Sequence, residues 1–297
     1  MTRSATAAAC AVLAPAALVL AAPALAQAAP DTAAPAASND LAAQLGKDSL
    51  TIGAAAAYVP DYDGSNDYRV VPAPAVLGSY KGINFQVLGN RASINLVQQK
   101  PGTGINFEFG PIGVINFNRT STSNIDDIRV RRLPELRTGI ELGGYVGVSK
   151  TGVVTSPYDK LTLTLSYRHD VNNASGSYVW TPSINYLTPL STKAAVGLLA
   201  SGSYVGDRYA NYYYSVSPQQ AALTGLPAYA ARGNRWNSYT LGGFGTYSIT
   251  GNLLHGFKIV AGGTYSRNLG ASGDTPLTRI AGNRNQFIGA AGVAYTF

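Results

Sequence analysis

The sequence predicts an all-β fold: a transmembrane antiparallel β-barrel of about twelve strands preceded by a signal peptide. Three observations lead there. Past residue 49 apolar residues recur with a period of two in segment after segment, which gives strands with two chemically different faces. Only 12% of the 297 residues are charged, against roughly 25% in a typical soluble domain, while Gly and Tyr number 33 and 19 and the mean hydropathy is +0.03. That balance is too poor in charge for an ordinary water-facing surface and too polar for a bundle of membrane helices. Finally, Gly292, Tyr295 and Phe297 end the chain in a spacing similar to the C-terminal signal read by the outer-membrane barrel-assembly machinery. The single Cys, Cys10, excludes a disulfide scaffold and clustered-thiol zinc sites.

Taken in order, residues 1–26 read as a cleaved export signal of the Gram-negative outer membrane's proteins. Arg3 is the last charge before Asp31, an apolar stretch runs from Ala5 to Leu25, and Ala24-Leu-Ala26 supplies the small residues of a cleavage site. Pro15 and Pro23 interrupt the run and argue against a membrane anchor. Residues 27–48, rich in Ala, Pro, Gln and Asp, read as a flexible periplasmic lead-in, and residues 49–297 as the barrel. Strands are expected near 49–58, 68–80, 83–89, 91–98, 104–118, 136–149, 160–172, 176–188, 194–207, 236–250, 253–269 and 286–297. In Leu161–Tyr167 the odd positions are apolar and the even ones polar; Ile105–Phe109 behaves alike, and in Tyr178–Tyr186 the even positions carry Tyr178, Trp180, Ile184 and Tyr186. An even count leaves both termini in the periplasm. Short turns (Lys81-Gly82, Lys100-Pro-Gly102, Gly251-Asn252) then fall on the periplasmic side and long polar loops (59–67, 119–135, 208–235, 270–285) outside. The alternative count is ten, with 83–98 as one long strand. Closure itself is required, because unpaired sheet edges in hydrocarbon cost several kcal/mol per group.

Two features turn the apolar faces outward, toward outer-membrane lipid. Aromatics gather at segment ends, where interfacial girdles sit. The opposite faces are small or ionisable: Arg69, Glu108, Arg137, Glu141, Arg168, Asp170 and Lys258 alternate with Gly, Ala and Ser, a face that suits a wet lumen rather than a soluble core. If these charges pair across the lumen they close it; if the cations stay unpaired they make an anion-preferring pore. The near balance of signs favours a plugged or narrow barrel. Loop 208–235 carries Tyr209, Tyr212, Tyr213 and Tyr214, which can fold back as a cap or form an outer binding surface.

A catalytic constellation is not read here. His169-Asp170 with Asn172, Asn173 and Ser175 superficially offers a hydrolase site, but His169 and Asp170 alternate to opposite faces, and a nucleophile needs its base within reach. Asp61-Tyr-Asp63-Gly64 lacks the remaining ligands of a calcium loop and reads as a turn. Asp126-Asp127 with Arg129, Arg131 and Arg132 reads as a solvated, salt-bridged rim, or as a grip on lipopolysaccharide phosphates. The cations are dispersed over alternating positions, without the stripe that nucleic acid requires. No enzyme activity, cofactor or metal is expected.

Several stretches together resemble the MipA/OmpV family of outer-membrane proteins: Ala57-Tyr-Val-Pro-Asp-Tyr-Asp-Gly-Ser65, Tyr68-Arg-Val-Val-Pro-Ala-Pro-Ala75, Lys150-Thr-Gly-Val-Val-Thr-Ser-Pro-Tyr-Asp159, Tyr167-Arg-His-Asp-Val171, Tyr204-Val-Gly-Asp207 with Thr224-Gly-Leu-Pro-Ala-Tyr229, and Ala281-Gly-Asn-Arg-Asn-Gln-Phe287. They run in the family's order over nearly all of 49–297. The resemblance implies an outer-membrane barrel and, for members of the family, a scaffold that joins a membrane-bound lytic transglycosylase to a bifunctional penicillin-binding protein in murein (peptidoglycan) synthesis. Other members resemble adhesins or small-solute pores, and a fold does not choose among these.

Overall fold

The computed structural model describes residues 48–99 and 104–297; the expectations for residues 1–26 and 27–47 fall outside them. Twelve antiparallel strands close into a barrel in the order β1-β12-β11-β10-β9-β8-β7-β6-β5-β4-β3-β2. They are β1 (Ser49–Pro60), β2 (Tyr68–Tyr80), β3 (Ile83–Leu88), β4 (Arg91–Asn95), β5 (Ile105–Asn116), β6 (Gly139–Thr151), β7 (Lys160–Asp170), β8 (Tyr178–Pro189), β9 (Ala194–Val205), β10 (Arg235–Ser248), β11 (Gly256–Asn268) and β12 (Asn285–Thr296). The alternation read from the sequence is the alternation of faces. On β5, Ile105, Phe107 and Phe109 point outward while Asn106 and Glu108 are buried inside; on β7, Leu163 and Leu165 are exposed while Thr162, Ser166 and Arg168 are buried. Among the described residues no helix is long and apolar enough to cross a membrane.

Two aromatic belts bound the outer surface. At the end carrying the long loops, Tyr58 stacks on Tyr68 at 4.9 Å, Tyr167 meets Trp180 at 4.7 Å, and Tyr265 meets Phe287 at 5.2 Å. At the turn end, Tyr295 packs between Phe257 and Phe297, at 4.7 Å from each. Rings with a polar edge settle at the boundary between hydrocarbon and water. Tyr295 and Phe297 of the terminal motif thus belong to the outward belt, while Gly292 faces the lumen opposite Ala55.

The region 83–98 is a short hairpin of two strands, β3 and β4, which excludes the ten-strand alternative. It turns at Gly89 and Asn90, with Gly89 at φ +56°, a left-handed conformation that glycine adopts freely. The tip stops beside Pro74, whose carbonyl accepts the Gly89 N–H at 2.9 Å. Past that point β2 runs on, and among the described residues its stretch 68–73 pairs with β1 alone. A strand residue's nitrogen and carbonyl share one side, so Pro74 and Pro72 turn their donor-free nitrogens toward this open seam, the placement proline tolerates in a sheet. The closing pair, β1 with β12, is built of small residues: Ala54 to Ala57 lie opposite Val293, Gly292, Ala291 and Ala290.

The loops at the opposite end fold into a cork. They contribute α1 (Ile128–Arg131), α2 (Asp207–Tyr214), α3 (Pro218–Thr224), α4 (Gly270–Asp274) and α5 (Pro276–Arg279). Tyr62, Ile125, Val130, Leu133, Val216, Leu226 and Leu277 form one buried apolar cluster. Val179 and Val205, lumen-facing ends of β8 and β9, form a second with Tyr209, Ala210, Tyr213 and Tyr214. The loops expected to be polar and exposed are therefore packed into the mouth, because the helix turns their aromatics inward.

Candidate functional site

The lumen has two arcs. From β3 to β8 it is polar: Asn84, Asn95, Asn106, Ser149, Thr162 and Asn185 are all buried. From β9 round to β2 it is lined by small and apolar groups, among them Ala55, Ala75, Ala195, Leu199 and Ala290. Phe244 lies over Gly197, where a Cβ would collide with its ring.

Charges concentrate in the polar arc. Arg168, fully buried, places Nε 3.1 Å from Glu141 Oε2. Lys160 Nζ lies 3.5 Å from Glu108 Oε1; Lys160 is a partner the sequence reading passed over, though it shares the even face of β7 with Thr162 and Arg168. Asp170 ends β7 by accepting N–H bonds from Asn172 at 3.1 Å and Gly176 at 2.9 Å, and a 3.1 Å bond from the Ser175 hydroxyl. His169 points outward, so Ser175 bonds Asp170 and not the imidazole. Lys258, on the apolar arc, donates to Thr296 Oγ1 at 2.6 Å and to the Leu253 carbonyl. Arg69 faces the lumen near the cork with all three guanidinium nitrogens buried and without a hydrogen-bond partner.

Arg137 is not among the lumen residues. It precedes the first paired residue of β6, is exposed at the rim, and donates to the Asn172 carbonyl at 3.2 Å. Its odd numbering matches Glu141, but parity carries no meaning before the strand begins. Of the two readings of the tyrosines the structure takes the cap and not the outer binding surface: Tyr209, Tyr213 and Tyr214 are buried and Tyr212 half-buried in the cork.

The cork is locked to the lumen by hydrogen bonds. Asn116 Nδ2 donates to Tyr209 Oη at 3.1 Å and to Glu141 Oε1 at 3.4 Å. Tyr214 donates to the Asp63 carboxylate, which also accepts from Asn268 Nδ2 at 3.1 Å. Burial raises the Asp63 carboxyl above its ordinary value, against the pull of those two donors. Tyr62 donates to the carbonyls of Leu277 and Ala281, at 2.9 and 2.8 Å, so the segment read as a plain turn is the anchor of the cork. Arg119 binds the Tyr213 carbonyl at 2.8 Å, and burial lowers its guanidinium to about 10. On the rim Arg129 pairs with Asp127 at 2.6 Å.

At the turn end, loop 152–159 is shaped by Asp159. Its carboxylate accepts N–H bonds from Val153 at 2.6 Å and Val154 at 2.8 Å, and the Tyr186 hydroxyl at 2.8 Å. Burial alone would raise this carboxyl, but those donors together hold it well below the usual carboxylate range. The loop leaves Val154 and Tyr158 exposed, at 73% and 62%.

The family model described as MltA-interacting protein MipA matches residues 52–297. No curated protein matches the chain. Among solved structures, an outer-membrane channel from Pseudomonas putida F1 is similar in outline, with 12% identity, 84% of this chain and 95% of that chain covered, and a TM-score of 0.43. The CymD monoaromatic hydrocarbon channel is similar at 8% identity, with 87% and 91% covered and a TM-score of 0.40.

Proposed function

We propose, on the premise that the chain belongs to the MltA-interacting protein MipA family, that this outer-membrane β-barrel protein is a corked anchor whose periplasmic turn end docks murein enzymes. The partners are a membrane-bound lytic transglycosylase and a bifunctional penicillin-binding protein. The cork carries the reading. Its apolar clusters seal the outer mouth with ordered side chains, and the lumen beneath holds paired charges, so the surface left for partners is the turn end. There, loop 152–159 is held in one shape by Asp159 and presents an apolar pair, Val154 and Tyr158, to solvent. Preordered loops with a central aromatic are the form that docking surfaces take, since little ordering entropy is lost on binding.

The test is in-cell cross-linking followed by purification of the barrel in mild detergent. Both murein enzymes are expected to copurify, and the double substitution V154S/Y158S is expected to reduce their yield severalfold while the barrel keeps its heat-modifiable mobility. Absence of both enzymes from the wild-type preparation overturns the scaffold.

A further inference from the structure

Beneath the cork the apolar arc encloses a cavity of about 340 Å³, within the ~300–1,000 Å³ typical of small-molecule sites. Its walls are mostly small and apolar, with Ala55, Ala75, Leu77, Leu199, Phe244 and Ala290 prominent. No Asp or Glu lines it, whereas Arg91 and Lys258 do. Lys258 is engaged by Thr296 and Leu253. Arg91, the first residue of β4, has its Nη1 buried without a hydrogen-bond partner. The neighbouring carboxylate, Glu141, is bonded to Arg168. A buried guanidinium N–H that lacks an acceptor is costly, and an anionic oxygen is its best partner.

The geometry also says from which phase the guest comes. Ala73, Pro74, Leu88 and Gly89 line the cavity, and the same residues form the seam where β2 outruns the β3–β4 hairpin. The Arg91 end of the cavity thus lies beside the place where β2 is paired on one side only and the wall facing lipid lacks its inter-strand hydrogen bonds. Molecules concentrated there are amphiphiles, not soluble anions.

We infer that the lumen cavity is a binding site for a single-chain amphiphile with one anionic head group, the chain lying along the apolar arc and the head on Arg91. This site is independent of the scaffold reading, since it uses neither the turn-end loop nor a protein partner. Carboxylate and phosphate heads share the required chemistry, and separate probes distinguish them.

The full-length protein in lipid nanodiscs is to be examined by native mass spectrometry with dodecanoate, dodecyl phosphate and dodecylamine. One molecule of dodecanoate or of dodecyl phosphate is expected per barrel, and whichever binds more tightly names the head group. Arg91→Gln is expected to weaken it about tenfold, the loss of one charge-assisted hydrogen bond. Ala55→Phe with Ala290→Phe, which fills the cavity from its β1–β12 wall, is expected to abolish it; heat-modifiable mobility reports that each variant folds. Equal retention by the filled variant overturns the site. Equal binding of dodecylamine overturns the assignment of the head to Arg91.

Discussion

Arg168 is the largest fully buried side chain among the described residues, and its charge is tolerable because Glu141 Oε2 lies 3.1 Å from Nε. Removing one partner of such a pair leaves an uncompensated charge and costs about 3–5 kcal/mol, whereas replacing both by apolar groups of similar volume is often neutral. Glu141→Gln should therefore lower the temperature at which the folded band shifts on a gel, and E141L/R168M should recover much of the loss; equal stability of E141Q and wild type would contradict the pairing. Asp159 makes a second prediction at this scale. Its carboxyl is held below the ordinary value of 3.8, so its contribution to stability is full above that pH and is lost as pH falls through the depressed range. Loop 152–159 should resist protease at neutral pH, keep most of that resistance just below the ordinary carboxylate value, and open only as the pH falls into the depressed range of Asp159; Asp159→Asn should be open at neutral pH already.

At the scale of elements the cork offers the sharpest test. Tyr62 donates to two carbonyls of the β11–β12 loop. Tyr62→Phe strands both acceptors, at about 1–3 kcal/mol for an unmade buried bond, and should let the backbone around the exposed Arg208, Arg232 and Arg279 loosen enough for trypsin to cut there faster in intact cells. The strands were legible because membrane and lumen impose opposite chemistries on alternate residues, so parity alone assigns Glu108, Glu141, Arg168 and Lys258 to the inner face. Parity failed at Arg137, two residues before Gly139 begins its pairing with Asn116. A cap from loop 208–235 was legible as one of two readings, but its anchoring was not, since those contacts join segments far apart in sequence, as Asp63 joins Asn268. One signal was nevertheless present: Tyr209 and Tyr213 are four apart, the spacing that puts two side chains on one helix face, and their rings meet at 4.5 Å. The hairpin β3–β4 was half legible, its Gly89-Asn90 turn competing with a continuous strand. Arg91 was passed over because a strand as short as Arg91–Asn95 shows too few alternations to orient.

For the whole molecule, a mouth sealed by the cork's two apolar clusters predicts electrical silence. The full-length protein in a planar bilayer should show no steady openings, and deletion of residues 208–233 should produce them; steady openings of the intact protein would mean that the cork is a gate. The seam between β1 and β12 bears on how the barrel comes to exist. Ala54 to Ala57 face Val293 to Ala290, so the last strand to dock carries almost no side-chain bulk to fit past its neighbour. Pairing there rests on backbone groups and is almost blind to register, because a slip by two residues would set one alanine or glycine where another belongs. What fixes the alignment lies at the ends of the zipper, in the Thr51–Thr296 hydroxyl bond of 2.7 Å and in the aromatic rings that begin where the alanines stop.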